Sequence, residues 1–204
     1  MKLYYSPGTS ALAIHVVLAW SNIKYTLEKV VIGSEEYKKI NPLGAVPALV
    51  DGDGPIMTQA DSLLKYIANK QSDGKFAPQH DIQAEQQLDQ WLAFIGSDLH
   101  PTYSRVFNQQ RFTTAADEQS LAAVKAAAEL RLDTLYQVLD QHLAQNTFIT
   151  GEQKSIADPY AYVMTSWMKY TALRLNDYPN VERHFNELKQ DKGVIQAESE
   201  QDIR

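Results

Sequence analysis

"NPLGAVPALVDGDGPIM", Asn41 to Met57, decides the fold. Pro47 stands at the mouth of the apolar run "ALV", which reads as a strand. Proline cannot donate to a sheet ladder, so a central strand excludes it. A proline so placed is a candidate cis residue, a state that only about 5–6% of X–Pro bonds adopt. A cis Val46–Pro47 bond would turn the Val46 amide and carbonyl outward, unpaired by the sheet. Two such groups side by side can pair with an extended peptide as an added strand would. Further on, "DGDG" between two apolar runs reads as a hairpin turn. It fails as a calcium loop, because Pro55, Ile56 and Ser62 occupy the places of a ligand, a glycine and the closing glutamate.

Upstream of this stretch, "KLYYS" is a strand run stopped by the turn pair Pro7-Gly8. "SALAIHVVLAW" carries Leu12, Val16, Ala19 and Trp20 at helical spacing, with Thr9 or Ser10 as a cap. "IKYTLEKVVI" reads as a second strand and "SEEYKKIN" as one or two helical turns. Downstream, "ADSLLKYIANK" is an amphipathic helix, and Gln59 and Ala60 fall where strand hands over to helix. Bare amides at such a helix start suit an anion. The order βαβ then ββα predicts an α/β unit with a mixed sheet.

After residues 71–81, a polar stretch with Gly and Pro that reads as a linker, strand signals vanish. "AEQQLDQWLAFIGSDLH" puts Leu88, Leu92, Ile95 and Leu99 on one helical face. "LAAVKAAAELRLDTLYQVLDQHL" repeats the pattern, and two further helices follow. The fold class predicted is thus an α/β N-terminal domain, residues 1–76, followed by an all-α C-terminal domain, residues 83–204.

Composition narrows the function. The chain has 204 residues, a formal net charge of -6 and no cysteine. The acidic balance argues against nucleic acid as a partner, since phosphate binding needs a basic face. Without cysteine there is no disulfide and no thiol nucleophile, which fits a reducing compartment. No apolar run approaches the roughly 20 residues a membrane span requires, and no secretory leader is evident. The expected location is cytoplasmic, with no membrane partner.

The five histidines show no metal-ligand spacing, so no metal is expected. His15 lies inside an apolar helix and reads as packed. His100, at the end of a helix face and before Pro101, reads on its own as a cation suiting a helix end. "SIAD" at 155–158 has the form of a capping box, with the Ser155 hydroxyl accepting from the Asp158 amide and the carboxylate reaching back.

Taken together, "LYYSPGTSALAIHVVL", "NPLGAVPALV", "MTQADSLLKYIA" and "SIADPYAYVM" resemble the glutathione transferases, most closely their bacterial beta class. The resemblance spans nearly the whole chain. It implies a thioredoxin-like N-terminal domain, a helical C-terminal domain and a homodimer. It implies detoxification chemistry in which glutathione is a cosubstrate and no other cofactor is needed. It implies a cis Pro47, pairing of Val46 with the cysteinyl unit of glutathione, and capture of the γ-glutamyl end by Gln59 and Ala60. It also matches His100 to a histidine that reaches the active site.

Three departures stand out. Ser10 occupies the place of the beta-class cysteine, which rules out a mixed disulfide there. Pro101 replaces a lysine, and a loop lysine that meets the glycine carboxylate has no clear counterpart. Three hydroxyls beside the Pro7-Gly8 turn could still stabilise a thiolate: Ser10 first, Tyr5 second, and Thr9. The expected activity is conjugation of glutathione to a small hydrophobic electrophile. Glutathione-dependent disulfide or peroxide reduction, or a non-catalytic dimeric binding module, are the alternatives.

Overall fold

The computed structural model describes residues 1–71, 75–78 and 80–203. Four strands form one mixed sheet: β1 (Lys2–Tyr5), β2 (Thr26–Lys29), β3 (Ala48–Val50) and β4 (Met57–Thr58), in the order β2-β1-β3-β4. β1 runs parallel to β2, with Leu3 opposite Leu27, and antiparallel to β3, with Leu3 opposite Leu49. β3 and β4 close the hairpin, with Leu49 opposite Met57. The turn between them has Gly52 at φ 58, and the Gly54 amide donates to the Asp51 carbonyl. The Asp51 carboxylate is taken by the Tyr66 hydroxyl at 2.7 Å and Lys70 Nζ at 2.6 Å. It therefore serves as an anchor for the helix above it.

Alternation along β1 sorts its side chains between two layers. Leu3 and Tyr5 enter the main core, while Tyr4 packs with Tyr37 and Ala48 on the opposite face. Helices α1 (Ala11–Trp20) and α3 (Ala60–Lys70) cover the first layer, and the short α2 (Glu35–Lys38) supplies Tyr37 to the second. β2 is shorter than "IKYTLEKVVI" suggests. The Val30 amide still donates to the Tyr5 carbonyl at 2.8 Å, and residues 31 and 32 then leave the sheet, exposed. β-rich composition alone does not bury a strand end.

α1 is buried from Ala11 to Leu18, His15 included. Its surroundings explain this, because it packs on β1 and α3 and also on α7 (Ala157–Ser166) and α9 (Lys192–Glu200). A helix apolar all round is one enclosed on every side. Each fully buried Leu, Ile or Val contributes about 1.5–3 kcal/mol, so α1 is the main joint between the sheet and the helical half.

The helical half contains α4 (Ile82–Ala93), α5 (His100–Phe107), α6 (Glu118–Leu143), α7, α8 (Pro179–Lys189) and α9. Leu88, Leu92, Ile95 and Leu99 are all buried. Their helix does not stop at His100. Residues Phe94–Leu99 form a π-helical stretch that leads directly into α5. Pro101 lacks a backbone donor, and local widening removes the need for one. His100 consequently sits within a continuous helical run, and the helix-end role suggested by its neighbour Pro101 is corrected.

Two smaller expectations change as well. Ser10 occupies the cap position of α1, yet its hydroxyl makes no capping bond. Its backbone is helical (φ -58, ψ -16) and not extended as a working cap requires. In "SIAD" the carboxylate of Asp158 does reach back to the Ser155 amide, at 2.6 Å. The Ser155 hydroxyl, however, donates to that same carboxylate and accepts from the Ala157 amide, not from that of Asp158. Of the linker expected at 71–81, residues 72–74 and 79 lie outside the described residues.

Candidate functional site

A cleft of about 220 Å³ opens between the β3–β4 unit and the helical half. Val46, Pro47, Gln59, Ala60 and His100 line it, together with Asp61 and Tyr160. The structure thus gathers five of the eight residues singled out from the sequence into one place, and Thr9 is not among them. Ser10 and Tyr5 stand outside this lining, one at the head of α1 and the other at the end of β1.

The Val46–Pro47 peptide is cis. Among the described residues, neither the amide nor the carbonyl of Val46 has a hydrogen-bond partner. The preceding carbonyl, by contrast, is held twice. Ala45 accepts from the Tyr37 hydroxyl at 2.9 Å and from Asn41 Nδ2 at 2.7 Å. The loop is therefore rigid up to Val46, whose own polar groups stay open. A half-buried amide and carbonyl without partners form an incomplete strand edge.

The start of α3 forms the other wall. Gln59 has φ 73 and ψ 116, a conformation that costs a residue with a side chain on the order of 1–3 kcal/mol. That turn brings the amides of Ala60, Asp61 and Ser62 to the helix start, with no acceptor among the described residues. The Gln59 side chain is exposed and makes no capping bond. Open amides, the positive end of the helix dipole and a free carboxamide together suit a carboxylate. Asp61, one residue on, makes no hydrogen bond or ion pair among the described residues. Its carboxylate could pair with a cationic group next to those amides.

His100 closes the cleft from α5. Its Nδ1 lies 2.8 Å from the Tyr160 hydroxyl. Burial lowers the His100 pKa below its ordinary 6.5. Burial raises that of Tyr160, helped by the negative charge of Asp61. At neutral pH the imidazole is neutral and the phenol keeps its proton. In the tautomer that leaves Nδ1 as the acceptor, the phenol donates to it. The remaining proton of the ring is then on Nε2, where His100 acts as a donor.

The loop before α1 provides the hydroxyls. Thr9 Oγ1 donates to the Ser6 carbonyl at 2.7 Å, so its proton is already committed. The Ser10 hydroxyl has no hydrogen-bond partner among the described residues, and neither do the Ser10 and Ala11 amides. Tyr5 is 7% exposed and belongs to the main core. Trp167 ties this loop to the cleft wall. Its Nε1 donates to the Gly8 carbonyl at 2.8 Å, and its ring centroid lies 5.3 Å from that of His100. From Trp167 an aromatic run continues through Phe107, at 5.4 Å, to Tyr170, at 5.6 Å, and both of these rings are exposed.

Asp61 and Tyr160 are the site residues that the sequence did not disclose. An acid in the first turn of a helix ordinarily complements the dipole, and a tyrosine in an apolar helix ordinarily packs. Neither carries a local signal of anything further.

The family models for the glutathione S-transferase N-terminal and C-terminal domains match residues 3–75 and 94–191. The chain is 30% identical over 204 residues to glutathione S-transferase GST-4.5 of Xanthomonas campestris, covering 97% of this chain and 98% of that protein. It superposes on a bacterial beta class glutathione S-transferase from Sphingomonas chungbukensis with a TM-score of 0.88 at 27% identity, over 100% of both chains. A sphingomonad glutathione S-transferase complexed with glutathione matches with a TM-score of 0.87 at 28% identity, again over 100% of both. The chain belongs to the glutathione S-transferase family. Within that family its likeness is to the bacterial beta class.

Proposed function

We propose that this chain is a glutathione transferase that binds the tripeptide in the Val46–Gln59–His100 cleft, stabilises its thiolate with Ser10 and transfers the sulfur to a small hydrophobic electrophile. One observation supports the reading: Val46, whose amide and carbonyl have no partner among the described residues, lines the same cleft as Ala60 and Asp61, whose amides are likewise open at the start of α3. Glutathione has matching parts. Its cysteinyl unit has a peptide N–H and C=O for Val46. Its γ-glutamyl end has an α-carboxylate for Gln59 and the α3 amides, and an α-ammonium for Asp61.

The chemical task is thiol activation. A free thiol has a pKa of about 8.5, so only a few per cent is nucleophilic at pH 7. Lowering that value by two units takes about 2.7 kcal/mol. A hydroxyl with no other partner among the described residues, the two open amides at the head of α1 and the helix dipole can together supply it. The thiol releases its own proton to solvent, and the Ser10 proton stays on oxygen, hydrogen-bonded to the thiolate sulfur. Ser10 is thus a donor to the thiolate and not a nucleophile. The thiolate forms a carbon–sulfur bond with the electrophile, whose leaving group departs with the bonding pair. Phe107, Trp167 and Tyr170 offer an apolar edge for the electrophile beside His100. Tyr5 remains the second candidate donor. The functional unit is proposed to be a cytoplasmic homodimer, with domains at 1–76 and 83–204, acting in detoxification.

Calorimetric titration with glutathione, followed by an electrophile panel on wild type and Ser10→Ala, tests the reading. Saturable binding, turnover with at least one electrophile and a marked loss in the variant support it. No binding at millimolar glutathione overturns it. Binding without a lowered thiol pKa would identify a non-catalytic module.

A further inference from the structure

Gly8 lies two residues before Ser10, at φ 70, and side chains from the helical half hold both of its polar groups. Trp167 donates to its carbonyl, as described above. On the other side, the Gly8 amide donates to Gln201 Oε1 at 3.4 Å. Gln201 follows α9, nearly two hundred positions away in sequence, and is 1% exposed. Its Nε2 donates to His15 Nδ1 at 3.2 Å, and His15 Nε2 in turn lies 2.8 Å from the Glu200 carboxylate.

The directions of these bonds fix one another. Gln201 must give its amide proton to Nδ1 in order to present its oxygen to Gly8. The His15 proton is then on Nε2 and goes to Glu200. Every member of the chain Glu200–His15–Gln201–Gly8 is satisfied in one arrangement. The base of the chain is rigid as well. The Ile203 amide donates to the Glu198 carbonyl and the Asp202 amide to the Ser199 carbonyl, with Asp202 at φ 56. That pair of bonds is a Schellman closure, which sets the backbone of Gln201 at the end of α9.

We infer that Gln201 is a positioning residue for thiol activation: by holding Gly8 against Trp167 it sets the Pro7–Ser10 turn so that the Ser10 hydroxyl and the open α1 amides meet the glutathione sulfur. This rests on the proposed function, since it concerns the same thiolate. Catalytic geometry has to be held to within about 0.5 Å by the shell behind it. Among the described residues the Gly8 amide has no other tie. Gln201 is far from Val46, Gln59 and Ala60 in the chain and does not line their cleft. Its loss should therefore spare binding and impair activation.

The test is the pH dependence of thiolate absorbance of bound glutathione, read with the KM–kcat split. Gln201→Met keeps the volume and removes both polar contacts. It is expected to raise the thiol pKa by about half to one unit, a three- to tenfold loss of thiolate at low pH, with KM for glutathione within about twofold. Trp20→Phe is the control, because it removes a different contact between α1 and the helical half, the 2.7 Å bond from Trp20 Nε1 to Asp191. It should leave the thiol pKa unchanged. Trp167→Phe, which frees the Gly8 carbonyl, should raise that pKa too and covers the case in which Gln201→Met does not fold. An unchanged thiol pKa in Gln201→Met overturns the inference, as does an equal rise in Trp20→Phe. A wild type that leaves the thiol pKa at its solution value would instead overturn the proposed function.

Discussion

Ser10→Ala separates chemistry from folding. The side chain is 2% exposed, and its hydroxyl makes no hydrogen bond within the described fold. Removing the oxygen therefore breaks no internal bond, and alanine is a good helix former at the head of α1. Stability should stay within about 0.5 kcal/mol of wild type. Binding of glutathione by Val46, Gln59 and Ala60 should also persist. The thiolate alone loses a donor. A hydrogen bond to a charged group is worth about 1.5–3 kcal/mol, which converts to a rise of about one to two units in the thiol pKa. Below that pKa the thiolate fraction, and with it kcat, falls about ten- to a hundredfold. The assay is thiolate absorbance of the bound complex against pH, beside thermal unfolding of the free protein. A variant whose bound thiol titrates as in wild type refutes Ser10 as the donor and turns attention to Tyr5.

Three other outcomes follow from the same geometry. Gln59→Gly removes the carboxamide and relieves the unfavourable φ of 73, so glutathione binding should weaken while unfolding stability holds or rises by up to about 1 kcal/mol; calorimetry and urea unfolding read the two effects. His100 has a folded pKa below 6.5, so as pH falls through 6.5 the unfolded chain takes up a proton that the folded chain refuses. Stability should drop over that window by up to about 1.4 kcal/mol per pH unit and level off at the folded pKa, and His100→Gln should flatten the slope. Asp158 is fully buried and accepts from the Ile149 amide, the Ser155 amide and hydroxyl and His184 Nε2, so Asp158→Ala should cost about 3 kcal/mol or more in denaturant unfolding.

Sequence legibility followed the range of the physics involved. The hairpin around "DGDG", the helix from Ala60 and the apolar faces of α4 and α6 depend on short spacings, and these could be read directly. So could the placing of Val46, Pro47, Gln59 and Ala60 at one end of a sheet, because a proline at a strand mouth and a strand-to-helix junction are local marks. The end of β2 was not legible, since Val31 and Ile32 are exposed despite favouring strand. Nor was the passage of the helix through His100, because a π-helical stretch carries no periodic signature. Tyr160 and Gln201 act through partners brought near only by the tertiary fold, and Asp61 comes to lie beside Tyr160 in the same way. Tyr160 meets His100 across 60 positions and Gln201 meets Gly8 across 193, distances at which no spacing rule operates.

The most direct test of the central claim is an amide-resolved NMR titration with glutathione. The Val46 and Ala60 amides should shift together on one saturation curve, at or below millimolar ligand. Shifts confined to other surfaces, or none at all, would contradict it.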